Sequence, residues 1–129
     1  MTEDSKLRVD GFILEQIDTV PHLEALLLLW NKRPRQWSCE EMADALYLRK
    51  ELAERILRDL VQRNLAIECP STSGYIYNSN AERDALLTQV DLTYRRELIR
   101  LTRMIHAKAP TAMREFARAF RFTRDKERE

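Results

Sequence analysis

Apolar residues recur every three or four positions through much of the first half of the chain, which is the spacing of a helix with one buried face. The pattern predicts three helices, over residues 19–31, 39–46 and 49–63. Asp18 and Thr19 both suit the N-cap of the first helix and Ser38 suits that of the second, where Glu41 completes a capping box. Ahead of these helices, residues 1–10 are polar and predict a frayed start, and residues 11–17 predict one or two helical turns.

The period changes after Asn64, a residue type that suits the left-handed end of a helix. Leu65, Ile67 and Cys69 alternate with Ala66 and Glu68. Residues 70–74 are turn formers, and residues 75–77 are strand formers. Two short strands joined by a short turn predict a β-hairpin.

A seam of apolar residues follows on a predicted long helix over 81–108. Its members step by three or four: Leu87, Val90, Tyr94, Leu98, Leu101 and Ile105. Such a seam is typical of helices that pair, and a helix of about 27 residues spans about 40 Å, more than a small domain needs. We therefore expect the seam to pair with a second copy, and Phe116 and Phe120 of a last predicted helix to complete the dimer interface. Packing on the chain's own domain is the alternative.

The predicted elements come in the order helix, short strand position at Trp37, helix, tight turn, helix and hairpin. This order, with SCEEMADAL at 38–46 and LAERILRDLVQRNL at 52–65, resembles winged helix-turn-helix regulators of the bacterial MarR-like class over residues 20–79. The whole chain also resembles a bacterial family with a basic, Phe-rich C-terminal helical extension.

The resemblance implies a mainly α fold of the α+β winged-helix type, with a hairpin wing and C-terminal dimerisation helices. It divides the chain into an N-terminal segment (1–19), a winged-helix domain (20–79) and a helical extension (80–129). It also implies a dimeric transcriptional regulator that binds double-stranded DNA.

In such regulators the second helix of the turn motif enters the major groove and the wing contacts phosphate. Projection of residues 49–63 at about 100° per residue separates an inward from an outward face. The predicted DNA contacts are Arg49, Lys50, Arg55, Arg58 and Gln62, with Thr72 in the wing. Glu51 and Glu54 share the outward face, and the wing turn holds no Lys or Arg. The alternative is therefore an adaptor that binds a protein through its C-terminal helices and does not bind DNA.

Charge is balanced overall but divided along the chain. The net charge is +1, which predicts no strong bulk attraction to nucleic acid or to anionic membrane. Residues 1–79 hold 10 basic and 13 acidic residues, and residues 80–129 hold 12 basic and 8 acidic residues. The longest apolar run, residues 25–30, is too short to span a bilayer. With the polar start, these features predict a cytoplasmic protein without a membrane partner.

Motifs for catalysis are lacking in the sequence. It contains no G-x-G-x-x-G, P-loop, H-E-x-x-H or G-x-S-x-G, which predicts no cofactor and no enzyme. Cys39 and Cys69 lack C-x-x-C spacing and are expected to be free thiols, and His22 and His106 stand far apart. These features predict no metal site.

A minor alternative is a small-molecule sensor. Trp30, Tyr94 or Met104 would then line the cleft between two copies. The sequence contains no residue cluster that identifies the ligand.

Overall fold

The computed structural model describes residues 3–108, which form six helices and one two-stranded antiparallel sheet. The helices are α1 (Glu3–Gln16), α2 (Val20–Asn31), α3 (Cys39–Leu46), α4 (Lys50–Gln62), α5 (Ala81–Arg96) and α6 (Leu98–Lys108), and the strands are β1 (Ala66–Cys69) and β2 (Gly74–Tyr77). The predicted mainly helical class with a small antiparallel sheet is confirmed. None of the helices in this range is both long enough and apolar enough to cross a bilayer.

Local sequence signals place the helix ends. The Thr19 hydroxyl accepts from the backbone of His22 at the start of α2, and Ser38 and Glu41 form both bonds of the capping box of α3. Tyr47, after α3, and Asn64, after α4, take left-handed backbone angles with φ of 57° and 63°. The helices predicted over 19–31, 39–46 and 49–63 are therefore confirmed.

The hairpin pairs β1 with β2 in the register Ala66 to Tyr77 and Cys69 to Gly74. Trp37 extends the sheet by an isolated bridge, since its backbone exchanges two hydrogen bonds of 2.8 Å with Tyr75. The predicted strand position at Trp37 is thereby confirmed, and it fixes the loop between α2 and α3 against β2.

Helix α2 forms the centre of the core. Leu23, Leu26 and Leu29 are fully buried, and the helix contacts α3, α4, α5 and β2. A helix surrounded in this way needs apolar residues on more than one face, which explains the run of four leucines before Trp30.

The expected frayed start over residues 1–10 is wrong, because α1 begins at Glu3. Val9, Phe12 and Ile13 are buried where α1 packs against α5 and α6. Only Val9 among residues 3–10 is buried, so the polar composition of this segment hides a helix that tertiary contacts stabilise.

The single helix predicted over 81–108 is also wrong, because Glu97 interrupts it with φ of −131° and ψ of 43°. The Glu97 carboxylate pairs with Arg100, and Arg100 donates two hydrogen bonds of 3.0 and 3.1 Å to Asp10 of α1. This interhelical ion pair holds α6 against α1.

The break changes the role of the apolar seam. Leu87, Val90, Leu101 and Ile105 are fully buried in the core of one chain, whereas Tyr94 is half-buried and Leu98 is exposed. Four of the six seam side chains therefore pack within one chain, as the alternative expectation has it, and pairing with a second copy stays a prediction. Phe116 and Phe120, the other predicted interface residues, lie outside the described residues.

Candidate nucleic-acid interface

Helix α4 divides into a buried and an exposed face. Ala53, Ile56, Leu57 and Leu60 are buried against the core. At about 100° per residue, Arg55, Arg58 and Gln62 fall together on the opposite side, and all three are exposed. Arg49 and Lys50 are exposed at the start of the helix. The structure therefore brings three of the predicted residues to one exposed face of α4 and leaves the other two exposed at the start of the helix.

Acidic neighbours share this surface. Arg58 forms an ion pair with Glu54 at 2.6 Å, and Lys50 forms one with Glu40 of α3 at 2.8 Å. The hydrogen bond from Lys50 to Glu40 raises the pKa of Lys50, which stays charged at neutral pH. Exposed ion pairs are weak because water and salt screen them, so an incoming phosphate can replace either carboxylate.

The hairpin turn contributes no cation of its own. Thr72, the predicted phosphate contact in the wing, is exposed, and its hydroxyl donates to Gln36 Oε1 at 2.6 Å. Through this bond the loop before α3 lies beside the turn. Arg35 in that loop stacks on Trp37 at 3.8 Å from the ring centroid and bonds Glu41 at 2.9 Å.

Arg35 is thus a cation next to the hairpin that sequence reasoning missed. Arg33 in the same loop lies over Trp30 at 3.4 Å from the ring centroid. The signal available in the sequence was the pair of arginines between Trp30 and Trp37, because a guanidinium stacks readily on an indole ring.

Tyr47 was also missed, since the sequence showed it only as part of a tight connection. It is 95% exposed in the turn between α3 and α4, two residues before Arg49. A left-handed conformation costs a residue with a Cβ about 1 kcal/mol or more, and Gly avoids that cost. The fold gains no burial from this aromatic ring, so packing does not explain it.

A buried polar cluster fixes the other end of α4. His22 Nε2 lies 2.8 Å from Asp59 Oδ2, and His22 Nδ1 lies 2.6 Å from the Thr19 hydroxyl. A neutral imidazole protonated at Nε2 satisfies both contacts, donating to Asp59 and accepting from Thr19. Burial lowers the pKa of His22, although Asp59 acts in the opposite direction. The cluster connects the start of α2 to the last turns of α4.

The ligand atoms of Asp18, His22 and Asp59 lie within 4.8 Å of one another, so His22 has carboxylate neighbours that its sequence context did not show. Arg63 donates two hydrogen bonds to Asp18, at 2.9 and 3.1 Å, and one to the Glu15 carbonyl. Each of the three candidate ligands is therefore already bonded, and a guanidinium lies among them. This arrangement acts as a brace that positions α4.

The cysteines contribute no reactive group to the surface. Cys39 and Cys69 are both free and half-buried, as the sequence predicts. Burial, together with the charge of Glu54, raises the pKa of Cys39, so its thiol stays protonated at neutral pH despite its place at the start of α3.

The candidate interface consists of the exposed face of α4, the turn at Tyr47, and the hairpin with Arg35 beside it. Comparisons with protein-family models, with curated proteins and with solved structures found no match for this chain. What this surface does is therefore inferred from its own residues.

Proposed function

We propose that the chain is a winged-helix DNA-binding protein whose helix α4 enters the major groove of duplex DNA. The observation that carries this proposal is the exposed polar face of α4, a helix that also contacts strand β1 of the hairpin. A helix of this length spans about 20 Å, and the major groove is about 12 Å wide and admits an α-helix. The short turn from α3 into α4 supports the same interpretation.

Arg55, Arg58 and Gln62 are the proposed contacts to base edges and phosphates within the groove. Arg49 and Lys50 contact phosphate at the start of the helix, and Arg35 supplies the charge that the hairpin turn lacks. Regulation of transcription in the cytoplasm, without catalysis, is the role that such binding supports.

The double variant Arg55→Ala/Arg58→Ala is expected to bind random-sequence duplex DNA about ten-fold more weakly or worse, with a smaller salt dependence. The two guanidinium groups would contact the DNA and release counterions from its phosphates, and the variant loses both effects. Fluorescence anisotropy at low and moderate salt measures the effect, with light scattering to give the oligomeric state in parallel.

The matched control is Arg96→Ala/Arg103→Ala, which removes two exposed cations from α5 and α6. Its affinity should stay within about two-fold of that of the unaltered chain, since these positions lie outside the proposed interface. Equal losses in the two double variants would show non-specific charge attraction and would contradict the role assigned to α4.

The variant Tyr47→Gly is expected to bind DNA more weakly while unfolding at the same or a higher denaturant concentration. Glycine relieves the left-handed strain of about 1 kcal/mol, partly offset by the greater freedom of the unfolded chain. In the unaltered chain the Tyr47 ring would contact the DNA beside the start of α4, and the glycine variant loses this contact. Tyr47→Phe keeps the ring and should keep most of the binding. A clear loss of stability in Tyr47→Gly would instead assign the ring to the fold.

A protein-binding adaptor is the second candidate, and one observation favours it. The surface that would face phosphate also carries Glu40, Glu51 and Glu54, and two of these pair with its cations. A surface that mixes acidic and basic side chains in this way suits a protein partner better than a polyanion. The docking residues predicted for it, Phe116 and Phe120, lie outside the described residues. A folded chain that binds no duplex at low salt would make this the leading function.

A further inference from the structure

An open groove with a volume of about 270 Å³ lies between α2, α3 and α5, away from the exposed face of α4. Its apolar wall consists of Leu27 and Leu28 from α2 with Ala45 and Leu46 from α3. Side chains of all three helices meet here, so a molecule in the groove would contact each of them.

Three polar residues of the groove satisfy one another. Asn31 donates to Asp91 at 3.2 Å and accepts from Arg95 at 3.3 Å, and Arg95 pairs with Asp91 at 3.2 Å. The charges of Asp91 and Arg95 cancel. This closed triad leaves no net charge at its end of the groove.

Glu24 is different. It is half-buried in the groove, and within residues 3–108 no hydrogen bond or ion pair reaches its carboxylate. Burial alone raises the pKa of Glu24, and burial together with the charge of Glu24 raises the pKa of Tyr94 beside it. A carboxylate that is partly removed from water without a counterion costs free energy, and a cation placed against it would recover that cost.

We propose that this groove binds a small organic cation, with a protonated amine at Glu24 and an apolar body against Leu27, Leu28 and Leu46. The Tyr94 ring lines the same space, and aromatic rings attract ammonium groups. The volume is close to the lower end of the range for small-molecule sites, which limits the ligand to a compact one. A bare divalent metal does not fit this description, because it needs several oxygen ligands and, among the described residues that line the groove, only one carboxylate is unpaired.

The test uses three probes of matched shape on the full chain: phenethylamine (a cation at neutral pH), 2-phenylethanol (neutral) and 3-phenylpropionate (an anion). Amide chemical shifts in two-dimensional NMR report binding. The amine is expected to bind with a Kd on the order of 1 mM, in keeping with its size. Shifts should be confined to residues that line the groove. The alcohol should bind about ten-fold more weakly, and the anion should show no saturable binding.

The variant Glu24→Gln keeps the shape of the side chain and removes its charge, and it should bind the amine about ten-fold more weakly. Glu15→Gln removes an exposed carboxylate from α1 and should bind as the unaltered chain does. Equal binding of amine and alcohol, or no saturable binding of the amine at ten times the expected Kd, overturns the proposal. No DNA is present, so either result is independent of the proposed function.

Discussion

Replacing Leu101 with alanine is expected to lower the free energy of unfolding by about 2–5 kcal/mol. Leu101 is fully buried in α6, in the core that α6 shares with α1 and α5. The substitution removes apolar contacts and leaves a cavity that the neighbouring helices fill only in part. Urea unfolding followed by circular dichroism measures the change. Ile99→Ala is the matched control on the same helix, because Ile99 is 68% exposed and its loss should cost less than about 0.5 kcal/mol.

The same experiment tests whether the seam packs within one chain. An intramolecular core unfolds at a urea concentration that does not change over a hundred-fold dilution of the protein. A seam shared between two copies would shift the midpoint by mass action. A midpoint that depends on protein concentration, or equal effects of Leu101→Ala and Ile99→Ala, would contradict the packing described for α6.

The helix break at Glu97, and the packing of four seam residues within one chain, could not be predicted from the sequence. Apolar residues spaced by three and four describe a helix with one buried face, whether a second copy or the same chain covers that face. Residues 93–100 contain neither Gly nor Pro, so no local signal marks an interruption. The break is held by Arg100, which pairs with Asp10 from the far end of the chain. Contacts over such a separation cannot be inferred from local propensity.

Helix caps and turns, unlike the helix break, could be predicted from the sequence, because the residues that form them are neighbours in the chain. Ser38 and Glu41 lie three residues apart, and Asn64 tolerates a left-handed backbone by virtue of its own side chain. The hairpin could be predicted because the spacing of apolar residues changes after Asn64, within a stretch of about seven or eight residues. The capping box and Asn64 mark the start of α3 and the end of α4, and the apolar spacing of α4 separates its buried face from its exposed one, which is why the residues of that face could be predicted.

The remaining parts of the site depend on tertiary proximity. Asp59 stands 37 residues from His22, and Thr72 stands 36 from Gln36. Glu24 interrupts a run of leucines and looks in the sequence like an ordinary exposed residue of an amphipathic helix. Only the packing of α3 and α5 around it leaves its carboxylate half-buried and unpaired.

Replacing His22 with alanine is expected to destabilise the fold through its two lost hydrogen bonds. The Thr19 hydroxyl is buried, and each buried polar group left without its partner costs about 1–3 kcal/mol. Loss of the imidazole adds a cavity at the junction of α2 and α4. Urea unfolding at neutral pH measures the sum, and a loss below about 1 kcal/mol would contradict the role of this cluster as a brace.

The cluster also predicts how stability varies with pH. Burial lowers the pKa of His22 in the folded chain, whereas the unfolded chain titrates near 6.5. As the pH falls below this value, the unfolded state binds a proton that the folded state still excludes. The stabilisation present above pH 6.5 is therefore lost as the pH falls toward the lowered pKa of the folded state.

His22→Gln, which does not titrate in this range, should flatten the decrease in unfolding free energy between about pH 7 and pH 5. His106→Gln removes the other histidine of the chain, which is exposed, and should leave the decrease unchanged. An equal slope in the unaltered chain and in His22→Gln would show that His22 does not couple protonation to folding, and that the brace holds α4 without depending on pH.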